Sequence, residues 1–142
     1  MGEPMRPSVA VLIVEDEPLI RMGTVYLIED AGFEVYEAGS ADAAIALLEL
    51  HREIRLIFTD VDMPGSMDGL KLAHYVRGRW PPVKIIVTSG HVSVSDGNLP
   101  IGAVFLSKPK TLPTSRKAER LRNVVTLAVI AAPSSPYRWY TY

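Results

Sequence analysis

Five short apolar runs, separated by segments with helical periodicity, constrain the fold more than any other feature of this sequence. In most of them the apolar residues are nearly continuous, which is typical of strands buried on both faces of a sheet. A chain of 142 residues has room for about one domain. The alternation therefore predicts a single α/β domain of the (βα)5 type, with a parallel sheet and right-handed crossovers. The predicted strands are VAVLIV (9–14), FEVYEA (33–38), RLIFTD (55–60), VKIIVTS (83–89) and AVFLSK (103–108).

Helices are predicted between these strands from their start and stop signals. The first begins at Pro18, a residue that suits the first helical position. Ser40 is a good cap for the second helix, and Ser66 is a candidate cap for the third. The segment 90–102 is polar and rich in glycine, so it predicts only a short or frayed fourth helix. A final helix is predicted after Pro113.

The same pattern sets the domain boundaries. Residues 1–7 are predicted to form a flexible N-terminus, 8–131 one folded domain, and 132–142 a loose C-terminal tail. The chain has no cysteine, which excludes disulfide bonds and thiolate metal sites. Its apolar runs are too short for a signal peptide or for the roughly 20 residues of a membrane span. A cytoplasmic protein with no membrane contact is therefore predicted.

Polar and charged side chains come directly at the ends of several predicted strands. Strand one ends at Glu15 and Asp16, strand three at Asp60, strand four at Thr88 and strand five at Lys108. The carboxyl ends of parallel strands meet at one edge of the sheet, and ligands bind at that edge in open α/β folds. We therefore expect these carboxylates, the hydroxyl and the ammonium group to lie close together.

A group of carboxylates is unfavourable unless a cation binds to it, because like charges raise each other's energy. Oxygen ligands suit Mg²⁺, which takes one or two carboxylates together with phosphate oxygens and water. An ion of this kind beside a carboxylate, a hydroxyl and a lysine is typical of a site for phosphoryl transfer. In this interpretation Asp60 is the nucleophile, Mg²⁺ and Lys108 neutralise the phosphoryl oxygens, and Thr88 donates a hydrogen bond to one of them.

Four motifs resemble the receiver domains of response regulators, the CheY-like proteins of bacterial two-component signalling. They are VLIVEDE, LIFTDVDMPGSMDGL, KIIVTSG and FLSKP, and they follow one another in the family's order between residues 8 and about 110. The resemblance implies a flavodoxin-like fold, a three-layer sandwich with strand order 2-1-3-4-5. It also implies that Asp60 is phosphorylated, and that Glu15, Asp16, Asp60 and the backbone carbonyl of Asp62 hold Mg²⁺.

The same resemblance implies a phosphorylation switch. Thr88 matches the switch hydroxyl, Lys108 matches the phosphate-binding lysine, and Phe105 falls where the family often has a mobile aromatic residue. A phosphoryl group on Asp60 would draw the hydroxyl of Thr88 inward and vacate space into which Phe105 can turn. The alternative is that Phe105 is an ordinary core residue.

Helix one carries more apolar residues than one buried face requires. Ile20 and Thr24 lie on the stripe that we expect to face the core, whereas Leu19, Met22 and Tyr26 form a second stripe. In the family this helix commonly docks the helices of the phosphodonor. The second stripe is therefore predicted to bind a histidine kinase or a histidine phosphotransfer protein, and further core or unused surface is the alternative.

The sequence favours a stand-alone receiver, since no output module is recognisable after residue 131, and a phosphoacceptor rather than an enzyme. Two alternatives stay open. The DVD stretch at Asp60 also resembles the motif of haloacid-dehalogenase-type phosphatases, although that motif usually follows their first strand. A receiver-shaped interaction module that is not phosphorylated is the other.

Two further partner questions concern the last part of the chain. Residues 107–142 hold seven basic side chains and one acidic side chain. A solvated basic helix face explains them better than binding to nucleic acid. The segment after strand five departs from the family's pattern, so a homodimer through the family's usual face is left open.

Overall fold

The strands and helices fall close to the predicted segments. A computed structural model describes residues 9–90, 98–107, 115–130 and 138–141. The strands are β1 (Ala10–Val14), β2 (Glu34–Ala38), β3 (Ile54–Asp60), β4 (Lys84–Ser89), β5 (Val104–Ser107) and β6 (Arg138–Thr141). The helices are α1 (Pro18–Asp30), α2 (Ala41–Leu50), α3 (Gly69–Arg79) and α4 (Ser115–Ile130).

All the strand pairs are parallel, and the sheet order is β2-β1-β3-β4-β5-β6. The first five strands confirm the predicted flavodoxin-like order 2-1-3-4-5. Strand order reverses between β1 and β3, and in such sheets the crevice at this point is where ligands bind. A ligand-binding site is therefore expected at the carboxyl ends of β1 and β3.

A sixth strand over residues 138–141 corrects that part of the predicted loose tail, 132–142, whose other residues lie outside the described ranges. β6 pairs with β5, with Arg138 opposite Val104 and Thr141 opposite Ser107. The open edge of β5 offers unpaired backbone groups, and the segment RWYT is rich in the aromatic and β-branched residues that favour strands. This composition was the available signal for a strand, but the segment lies apart from the alternating pattern.

Each face of the sheet has its own hydrophobic core. On one face, Leu72 and Val76 of α3 and Ala44 of α2 pack with β-strand residues such as Ile57 and Val87. On the other face, residues of α1 and α4 pack against the sheet; they include Ile28, Leu121 and Val125, with Val11, Ile13, Leu56, Phe58, Ile86 and Leu106 from the strands. The helices thus form two layers around the sheet, which confirms the predicted three-layer sandwich.

The helix starts follow the predicted signals with one exception. Pro18 is the first residue of α1, and the hydroxyl of Ser40 accepts a hydrogen bond from the Ala43 backbone N–H at 3.2 Å. For α3, however, the cap is Asp68, whose Oδ1 accepts from the Lys71 backbone N–H at 2.9 Å. Ser66 instead donates from its hydroxyl to Asp42. Asp68 is the better cap because it directly precedes the first helical residue.

Away from the carboxyl ends of β1 and β3, a small cluster of polar side chains connects β2 to the segment just before β3. The hydroxyl of Tyr36 donates to Glu53 Oε1 at 2.6 Å, and its ring stacks on His51. This hydrogen bond raises the pKa of Tyr36 to about 12 and lowers the pKa of Glu53.

The predictions of a fourth helix and of no membrane contact can be compared with the structure only over the described residues. The short or frayed helix between β4 and β5 falls mostly on residues 91–97, which lie outside the described residues. Over the described ranges, no helix is long and apolar enough to cross a membrane.

Candidate functional site

β3 and β4 place two predicted site residues side by side. Asp60 is the last residue of β3, and its partner across the ladder in β4 is Thr88. The backbone N–H of Val61 donates to the carbonyl oxygen of Thr88 at 2.8 Å, so the pairing continues one residue past Asp60. Both residues are buried. The strand register therefore fixes the carboxylate and the hydroxyl at adjacent positions on the same sheet edge.

The ends of β1 and β3 bring the predicted carboxylates together. One carboxylate oxygen from each of Glu15, Asp16 and Asp60 lies within 4.8 Å of the others. Glu15 and Asp60 are only 4% and 5% exposed, whereas Asp16 is half-buried. Burial weakens solvation of these charges, so a cation would stabilise the ionised cluster strongly. The donor set is all oxygen, which fits a small hard cation such as Mg²⁺.

Asp62 lies just after β3, at the surface of the protein. It is exposed, and its Oδ2 accepts a hydrogen bond from the hydroxyl of Ser89 at 3.2 Å. The chain then turns through Gly65, whose φ of 112° is a conformation that favours glycine. Coordination by the Asp62 backbone carbonyl stays a prediction.

Thr88 and Phe105 do not pair with each other across the sheet. Thr88 lies opposite Leu106, and Phe105 lies opposite Val87. Phe105 is 5% exposed and packs in the core beneath α2 and α3, together with residues such as Leu99. Its predicted movement after phosphorylation stays a prediction. Lys108, the predicted phosphate-binding lysine, lies outside the described residues.

The second apolar stripe of α1 is open to solvent. Leu19 is 82% exposed, Met22 52% and Tyr26 65%. They occupy positions i, i+3 and i+7 and therefore share one face of the helix. The alternative that these residues extend the core is wrong. Ile20, which was expected on the core stripe, is also exposed, while Thr24 and Ile28 are buried.

Three residues contact the predicted site residues in ways that sequence patterns did not reveal. Ser89 binds Asp62, Arg21 donates to the backbone carbonyl of Glu15, and Gly69 packs against the backbone of Asp60. Ser89 had a signal, since it ends strand four beside Thr88. Arg21 and Gly69 had none, because their partners lie on other elements.

An open parallel sheet with an acidic cluster at the carboxyl ends of β1 and β3 defines the general class of this protein. A family model described as response regulator receiver domain matches residues 11–117. The matched range includes Glu15, Asp16, Asp60 and Thr88. The chain therefore belongs to the family of response regulator receiver domains.

Relatives of known sequence agree with this assignment. The chain is 35% identical over 120 residues to the sensor kinase CckA of Brucella abortus, covering 83% of this chain and 13% of that protein. It is 35% identical over 121 residues to the nitrogen assimilation regulatory protein NtrX of Azorhizobium caulinodans, with 79% and 26% covered. It is 34% identical over 102 residues to the transcriptional regulatory protein PdtaR of Mycobacterium tuberculosis, with 70% and 49% covered. The chain thus spans less than half the length of each of these proteins.

Solved structures share the fold. A response regulator receiver protein from Sinorhizobium medicae has a TM-score of 0.76 at 25% identity, covering 89% of this chain and 98% of that one. A receiver protein from Pseudomonas putida has a TM-score of 0.70 at 27% identity, covering 84% and 96%. The relatives carry the matched region within longer chains, so the stand-alone arrangement stays a prediction.

Proposed function

We propose that this chain is the phosphoacceptor of a two-component phosphorelay, and that Asp60 receives the phosphoryl group. The observation that carries the proposal is the placement of a buried Asp60 carboxylate within 4.8 Å of Glu15 and Asp16 oxygens, at the end of a strand beside Thr88. This arrangement joins a nucleophile, a cation site and a hydrogen-bond donor at one sheet edge.

The chemistry assigned to the chain is one displacement at phosphorus. A carboxylate oxygen of Asp60 attacks the phosphorus of a phosphohistidine on the donor, the P–N bond breaks, and the imidazole leaves. Glu15 and Asp16, together with Asp60, would hold Mg²⁺, which when bound would neutralise charge on the phosphoryl oxygens. Thr88 donates its hydroxyl to one of these oxygens, and Lys108 is the proposed second cation.

The exposed stripe of α1 is the proposed docking surface for the donor. Pro18, at the start of the helix, is three residues from Glu15 in sequence. A helix laid along Leu19, Met22 and Tyr26 would therefore approach the acidic cluster while covering apolar area. A histidine kinase or a histidine phosphotransfer protein presents its phosphorylated histidine on such a helix, which is the partner class we propose.

The test is intact mass after incubation with a small acyl phosphate and Mg²⁺. The parent protein is expected to gain the mass of one phosphoryl group, and the gain should disappear with EDTA or with Asp60→Asn. Asp62→Asn is the matched control, because it removes a nearby carboxylate but keeps the backbone carbonyl. Phosphorylation that persists in Asp60→Asn would refute the assignment.

The two alternatives predict different results. A haloacid-dehalogenase-type phosphatase would turn over an external phosphomonoester, releasing phosphate in excess of the protein. We propose instead that the chain is not an enzyme of that kind and accepts phosphate only onto itself. An interaction module that is not phosphorylated would gain no mass from the acyl phosphate or from a kinase.

A further inference from the structure

The side chain of Arg21 binds the backbone of Glu15, one residue of the acidic cluster, but has no part in the chemistry proposed above. Its Nη1 donates to the carbonyl oxygen of Glu15 at 2.8 Å, and its Nε donates to Glu37 Oε1 at 2.9 Å. Arg21 belongs to α1, Glu37 belongs to β2, and Glu15 directly follows β1. One guanidinium therefore joins three elements at the edge of the sheet where the carboxylates lie.

The group that Arg21 orients is the peptide bond between Glu15 and Asp16. A peptide group is planar, so the carbonyl oxygen of Glu15 and the N–H of Asp16 turn together. On the other side, the Glu15 N–H donates to the carbonyl oxygen of Ala38 at 3.0 Å. The backbone of Glu15 is thus held at both its donor and its acceptor. These two bonds fix the direction in which the chain leaves β1, and so the starting points of both carboxylate side chains.

The surroundings of Arg21 are shaped to receive it. Its side chain is 23% exposed and sits on the same side of α1 as the buried Thr24 and Ile28, at spacings of three and seven residues. A Cβ added to Gly39 would lie only 3.3 Å from Nη1, so a side chain there would require the guanidinium to shift by a few tenths of an ångström. The glycine after β2 therefore leaves the space that Arg21 uses.

Glu37 neutralises the positive charge of Arg21, which lies near the proposed cation site. An unpaired arginine would repel Mg²⁺, but the ion pair with Glu37 leaves no net charge on the pair. The guanidinium can then act through its hydrogen bond to Glu15 without opposing the ion.

We propose that Arg21 is a positioning residue for the Mg²⁺ site, acting through the Glu15–Asp16 peptide bond. The inference rests on the proposed function, because it assumes that the acidic cluster binds Mg²⁺. Residues that orient metal ligands from outside the coordination sphere typically change metal affinity 10–100-fold when they are replaced. We expect an effect near the lower end of that range, since Arg21 holds the backbone and not the carboxylate itself.

The decisive variant is Arg21→Met/Glu37→Gln, which removes one positive and one negative charge and so leaves the net charge unchanged. Its dissociation constant for Mg²⁺, measured by isothermal titration calorimetry, is expected to rise about tenfold over that of the parent. Arg21→Lys keeps one donor in reach of the Glu15 carbonyl and is expected to lose less affinity. A purely electrostatic role predicts no change in the double variant.

The matched control is Arg122→Met/Asp30→Asn. Arg122 and Asp30 form another arginine–carboxylate pair at 2.9 Å, between α4 and the far end of α1. Their removal changes the same kinds of charge and is expected to leave Mg²⁺ affinity within about twofold of the parent. Thermal unfolding of both double variants in EDTA compares the loss of fold stability without the ion.

A second variant keeps the inference testable if Arg21→Met/Glu37→Gln does not fold. Arg21→Gln/Glu37→Gln removes the same two charges and replaces the arginine by a shorter polar side chain, and we expect its dissociation constant for Mg²⁺ to rise about tenfold over that of the parent. Parent-like affinity in a folded Arg21→Met/Glu37→Gln or Arg21→Gln/Glu37→Gln variant would overturn the inference while leaving the proposed function intact. Failure of the parent itself to bind Mg²⁺ would overturn both.

Discussion

At the scale of single residues, Gly69 sets the position of the proposed phosphoacceptor. A Cβ on Gly69 would overlap the carbonyl oxygen of Asp60 and lie 2.6 Å from its carbonyl carbon. Gly69→Ala must therefore push α3 away from the end of β3, and overpacking of this kind costs about 1–3 kcal/mol. We expect a lower free energy of unfolding in urea and slower phosphorylation of Asp60 by a small acyl phosphate.

Gly78→Ala is the matched control for that prediction. Gly78 lies on the same helix, and a Cβ added there meets no atom within 4 Å. Alanine in an open helical position should stabilise the protein by about 0.5–1 kcal/mol. Equal stability and equal phosphorylation rates in the two variants would show that the contact between Gly69 and Asp60 is unimportant.

At the scale of elements, variants of α1 test the proposal that donor binding and chemistry use different residues. Replacing Leu19, Met22 or Tyr26 by alanine removes exposed apolar area and leaves the carboxylates in place. Transfer from a histidine kinase or phosphotransfer protein that phosphorylates the parent is expected to slow about tenfold where one of these residues contributes about 1.4 kcal/mol. Phosphorylation by a small acyl phosphate should not change.

Leu50→Ala on α2 is the control for this surface, because Leu50 is also largely exposed but lies on another element. It should leave both reactions unchanged. If the α1 variants slow the small-molecule reaction as much as the protein reaction, the stripe supports the site and does not dock the donor.

At the scale of the whole molecule, β6 closes one edge of the sheet. Removing residues 138–142 would expose the backbone groups of β5 that now pair with β6. We expect a loss of about 1 kcal/mol from these hydrogen bonds and a fall in Tm of about 4 °C. The exposed edge should also increase aggregation, which light scattering measures. Removal of Tyr142 alone, which lies beyond β6, is the control; equal Tm values for the two truncated forms would contradict a stabilising role.

Much of this architecture could be predicted because its signals are local. The apolar runs predicted β1 to β5 to within about a residue or two, and Pro18 and Ser40 marked the starts of α1 and α2. The rule that ligands bind at the carboxyl ends of parallel strands then predicted that Glu15, Asp16 and Asp60 lie together. Strand order came from resemblance to a known family.

The sequence by itself therefore determined the elements and the residues at their ends, since both depend on neighbours along the chain. Only the tertiary structure decided which side chains hold those ends in place. Arg21 reaches Glu37 across 16 positions, and Ser89 reaches Asp62 across 27. Gly69 meets Asp60 because α3 packs closely on β3, and β6 forms because β5 leaves an open edge. Such contacts depend on the spacing and direction of packed elements, which no local pattern encodes.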